Sequence, residues 1–66
     1  MKYRLALTST GVACTCNKYA VMQASDNFGI PAHSMQVALS RAAHPATTDP
    51  VIIHSDGLVF TLELIK

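Results

Sequence analysis

The chain has 66 residues, room for one domain with one small core, so a single domain over 1–66 is expected. Half of the residues are hydrophobic and 14% are charged, a balance that points to a folded chain rather than a disordered one. The net charge of +1 falls short of the strongly basic balance common among nucleic-acid binders, and no apolar run approaches the roughly 20 residues needed to span a bilayer.

The N-terminal "MKYRLALTSTGVAC" begins with a basic residue, but its apolar stretch is short and broken by "TST". It reads as mature protein rather than a signal peptide, and a cytoplasmic location follows as an expectation. Within it "KYRLAL" alternates. Tyr3, Leu5 and Leu7 point one way, and Lys2, Arg4 and Ala6 the other, which predicts a half-buried strand. "TSTGVACTC" is read as a short, weak helix, with Thr8 or Ser9 available as its N-cap. Cys14 and Cys16 form a C-x-C pair without the partner spacing of a zinc site, because His33, His44 and His54 are not closely paired. They are expected to be small buried thiols on that helix, with no metal bound.

Asn17 breaks the run and can cap a helix over "KYAVMQASDNF", with Ala20, Val21, Ala24 and Phe28 near one face. Gly29 ends it. Ile30 precedes Pro31 and is pushed out of the helical region, so the chain must turn there. Pro31 suits the first turn of a third helix, in which Met35, Leu39 and Ala42 recur as a buried stripe. "HPATTDP" is a loop. "VIIHSDGLVFTLELI" is a hairpin about Asp56-Gly57, pairing Ser55 with Leu58, Ile53 with Phe60 and Val51 with Leu62. Val51, Ile53, Phe60, Leu62 and Leu64 then share the core face, and Ile52, His54, Val59, Thr61 and Glu63 the other. The expected core joins Phe28, Met35, Leu39, Ile53, Phe60 and Leu62. The fold class is therefore α+β: a short N-terminal strand, three helices, and a C-terminal β-hairpin completing a three-stranded antiparallel sheet.

The corner "NFGIPAHSMQVALSRA" fits the pattern of a helix-turn-helix. Around Gly29, a small residue (Ser25) stands four before, Phe28 directly before and Ile30 directly after. Met35 follows at six and Ala38 at nine. With its opening strand, this corner and its closing Asp-Gly hairpin, the chain resembles the Cro repressors of temperate phages. The similarity lies in the order of elements more than in residue identity.

The resemblance implies a homodimeric transcriptional repressor of phage or prophage origin in a bacterial host. It would bind a palindromic operator in double-stranded DNA and occlude polymerase. The second motif helix would lie in the major groove, with Ala32, His33, Ser34, Gln36 and Val37 at the base-reading places. Gln36 could pair bidentately with adenine, His33 and Ser34 could bond base edges, and Ala32 or Val37 could touch a thymine methyl. Asn17, Lys18, Tyr19 and Arg41 would lie at phosphates. The last strand would pair with its counterpart in a second subunit, placing Leu58, Val59, Phe60, Thr61, Leu62 and Leu64 at the dimer interface. No cofactor, small-molecule ligand or membrane partner is implied.

Two other classes bear on the reading. Val37 stands near the exposed pole of its helix where the family carries a cation, and few positive charges remain to hold phosphates. A small phage-encoded interaction module or inhibitor on a Cro-like frame would use such an apolar surface instead. An enzyme is not expected, since no nucleophile–base spacing or carboxylate pair is present.

Overall fold

The computed structural model describes residues 1–65; Lys66 lies outside the described residues. The element order is β1 (Lys2–Leu7), β2 (Ala13–Cys16), α1 (Lys18–Asn27), α2 (Ala32–Ala43), β3 (Val51–Ser55) and β4 (Leu58–Ile65). All strand pairs are antiparallel, and the sheet runs β2-β1-β4-β3.

β1 forms where the alternation places it, with Tyr3 and Leu5 buried. The next segment corrects the sequence reading. Residues 8–16 are not a helix but a turn followed by β2, so the described residues hold two helices and a four-stranded sheet instead of three helices and three strands. The physical causes are local and tertiary. Thr8, Thr10, Val12 and Thr15 are β-branched and lose side-chain freedom in a helix. Gly11, at φ +73, lets the chain reverse, and its N–H donates to the Leu7 carbonyl at 3.0 Å. β1 also offers an edge whose backbone groups need partners, and β2 satisfies them with Tyr3 opposite Cys16 and Leu5 opposite Cys14. Thr8 caps no helix. Its N–H and its hydroxyl both donate to the Val59 carbonyl, at 3.0 and 2.8 Å.

Asn17 caps α1: its side-chain oxygen accepts from the Ala20 N–H at 3.0 Å. Gly29, at φ +74, closes the other end. The Ile30 N–H donates to the Ser25 carbonyl at 2.9 Å and the Gly29 N–H to the Asp26 carbonyl at 3.1 Å, the paired bonds of a Schellman motif. Pro31 is the N-cap of α2 rather than a first-turn residue.

Both helices pack on one face of the sheet. The core joins Tyr3, Leu5, Val21, Ile30, Met35, Ala38, Ala42, Ile53, Phe60 and Leu62. Leu39, expected at its centre, is half-buried against it. Phe28 departs further. It is the cap residue of α1, it is 41% exposed, and its ring leans on Phe60 at 5.2 Å between centroids.

The hairpin pairs in the expected register, through a turn in which Asp56 (φ 50) and Gly57 (φ 77) are both left-handed. Among the described residues, the other sheet face carries no helix. It presents Ile52, His54, Val59 and Thr61, with an Arg4–Glu63 pair at 3.6 Å. Both partners of that pair are half-exposed, so it adds little stability. No helix among the described residues is long and apolar enough to cross a membrane.

Candidate nucleic-acid interface

The corner between α1 and α2 is built on a small buried residue. Ser25 is fully buried, and its hydroxyl donates to the Met22 carbonyl at 2.6 Å, so it fills the helix contact without an unpaired polar atom. Ile30, Met35 and Ala38 are buried beside it, each 3% exposed or less. Of the side chains in the corner pattern, Phe28 is the exposed one.

Burying Met35, Ala38 and Ala42 rotates the opposite side of α2 into solvent. Ala32, His33, Ser34, Gln36 and Val37 are all exposed, so the residues expected to read bases share the solvent side of the helix, with His33, Gln36 and Val37 along its ridge. Ser40 and Arg41 extend the same ridge toward the helix end. The first turn of α2 has no side-chain cap, since Pro31 offers none. Its free N–H groups therefore form the positive end of the helix dipole next to His33 and Ser34.

The expected phosphate residues separate into different roles. Asn17 is committed to the α1 cap. Lys18 and Tyr19 are exposed at the start of α1, with the ammonium 5.4 Å from the tyrosine ring centre. They share a groove with Gln36, Leu39 and Ser40. Arg41 lies on the other flank of α2, in a groove with Val37, Ser40, His44, Val51 and Ile52. Among the described residues, the α2 ridge thus has one Lys or Arg on each side, Lys18 and Arg41. Among the described residues, no carboxylate lines either groove. Asp26 lies in the last turn of α1, Asp49 sits before β3, Asp56 is in the hairpin turn, and Glu63 faces Arg4 on the open sheet face.

The residues expected at a dimer interface are placed differently. Leu58, Val59, Phe60, Thr61, Leu62 and Leu64 lie on β4, an inner strand of the sheet. β3 covers it from Leu58 to Leu62 and β1 from Phe60 to Ile65. Phe60 and Leu62 are fully buried in the core of the protomer itself. The free edges belong to β2 and β3.

Sequence reasoning missed Ser40, although it stands four after Gln36 and three after Val37, and it missed His44, the extended cap residue that follows α2. Val51 and Ile52 carried no such signal, because only the tertiary fold brings β3 beside α2. The cysteines also move. They stand on an edge strand and not on a helix, with Cys14 exposed and Cys16 half-buried. Desolvation, and then the contact with Cys14, push the Cys16 thiol up to about 11.

No family model matches the chain, and neither a curated protein nor a solved structure matches it.

Proposed function

We propose that the chain is a sequence-specific DNA-binding transcriptional repressor of phage or prophage origin, with α2 lying in the major groove of double-stranded DNA. One observation carries this reading: α2 exposes a ridge free of carboxylates, flanked by Lys18 and Arg41, on a helix pair joined by a tight glycine corner. Gln36 pairs with adenine, His33 and Ser34 bond base edges, and Ala32 and Val37 meet thymine methyl groups. Phosphates are held by Lys18, Arg41 and the uncapped first turn of α2.

The likeness to Cro-type repressors rests on the corner and the hairpin, while β2 departs from that family's element order. A homodimer on a palindromic operator would join along β3, the free edge beside α2, where Ile52 is 54% exposed. Repression follows by occlusion, the bound dimer covering the site that polymerase needs.

Titrating the chain into labelled duplex at several salt concentrations tests this reading. With Lys18 and Arg41 as the flanking cations, the expected log–log slope is about −2 per protomer, from roughly −0.9 per phosphate. Lys18→Ala should weaken binding to all sequences alike and make the slope shallower by about 1. Absence of binding even at low salt would overturn the reading.

A second reading is favoured by the groove of Val37, Val51 and Ile52, an apolar strip open to solvent between α2 and β3. On that reading the chain is a protein-interaction module or inhibitor, and Val37→Asp abolishes its association while DNA is not a ligand.

A further inference from the structure

Cys14 and Cys16 stand two apart on β2, so both side chains leave the same face of the strand. Both are free thiols, and their Sγ atoms approach to 3.0 Å. β2 is an edge strand, Cys14 is exposed, and only Cys16 packs partly against the core. A cysteine used as a small core residue would be buried. Cys14 is not, and the pair is open to solutes.

A direct bond between the sulfurs fits this strand poorly. Residues two apart in an extended strand have Cα atoms about 6.6 Å apart, near the upper limit of roughly 6.8 Å that a disulfide bridges. An ion placed between the sulfurs lengthens the bridge and removes that constraint. Rotation about the two Cα–Cβ bonds then adjusts the sulfur separation without moving the backbone.

We propose that Cys14 and Cys16 form a two-thiolate site for a soft monovalent cation, with copper(I) as the ion. Among the described residues, no third cysteine, histidine or carboxylate completes a ligand set with them. Zinc in a closed site takes four ligands. Copper(I) is a soft ion selected by thiolates, and it accepts linear coordination by two of them. On binding, each thiol releases one proton and two sulfur–copper bonds form. No electron is transferred, and the product carries one negative charge. Lys18, two residues beyond Cys16, is the nearest cation along the chain.

The test is an anaerobic titration of the full, reduced chain against copper(I) held as its coloured bathocuproine disulfonate complex. The expected result is withdrawal of one ion per chain. Cys14→Ser and Cys16→Ser should each weaken it by more than about tenfold, since even the loss of an outer-shell partner costs 10–100-fold in metal affinity. Excess zinc(II) should not displace the copper. Because Cys14 is exposed, Cys14→Ser keeps the fold, checked by circular dichroism, and the test stays decisive even if Cys16→Ser unfolds. The proposal is overturned if the chain withdraws no copper, if the double serine variant withdraws as much, or if one ion is held per two chains.

Discussion

The backbone N–H of Ile30 donates to the carbonyl of Ser25 at 2.9 Å, and this bond sets where α1 stops and how α2 departs. It forms because Gly29, between them, takes a left-handed conformation at φ +74. Apart from Gly29 and its chain neighbours, no heavy atom lies within 4 Å of where a Cβ on Gly29 would stand, so the restriction there is backbone strain and not crowding. Gly29→Ala should therefore destabilise the chain by about 1–2 kcal/mol. Urea melts of the two proteins would show this. An unchanged midpoint would mean the corner tolerates another closure.

The two phenylalanines should differ sharply on truncation. Phe60 is fully buried at the centre of the core, and its removal should cost about 3–5 kcal/mol. In so short a chain that can abolish folding. Phe28, 41% exposed with its ring tilted against Phe60, should cost much less when changed to alanine. Thermal melts of both variants provide the comparison. Equal losses would place Phe28 inside the core after all.

Cys16 makes stability depend on alkaline pH. Its thiol is held protonated in the fold, from an ordinary value of 9.0 up to about 11. The unfolded chain therefore ionises first as pH rises. The thiol's contribution is fully present below 9.0 and is lost as pH climbs toward about 11. Wild type should lose stability across that window relative to Cys16→Ser, as followed by denaturant melts at stepped pH. Parallel curves for the two proteins would contradict this.

Much of the frame is legible in the sequence because it is locally encoded. The alternation of Tyr3, Leu5 and Leu7 gives β1, and Asp56-Gly57 permits the left-handed turn that fixes the hairpin register. Asn17 and Gly29 bracket α1. Residues 13–16 are different. Ala13, Cys14 and Thr15 are exposed, so β2 carries no in–out alternation of polarity. Its conformation is decided by the unpaired edge of β1, which no local pattern records. Phe28 was misread for a related reason: helical spacing put it on the buried face, but the helix ends one residue earlier. The exposed ridge of α2 follows directly from burial of Met35, Ala38 and Ala42. Its companions on β3 depend on tertiary packing, and so does the position of β4 inside the sheet.

The most direct test of the DNA-reading account is selection of binding sites from a pool of random duplexes at low salt. Wild-type protein should enrich one two-fold symmetric sequence with half-sites roughly 34 Å apart. Gln36→Ala should then cost about 1–3 kcal/mol at that site and relax preference at a single base pair in each half. Enrichment of no sequence at all would contradict the account, and the exposed Val37 and Ile52 would then mark a surface for a protein partner.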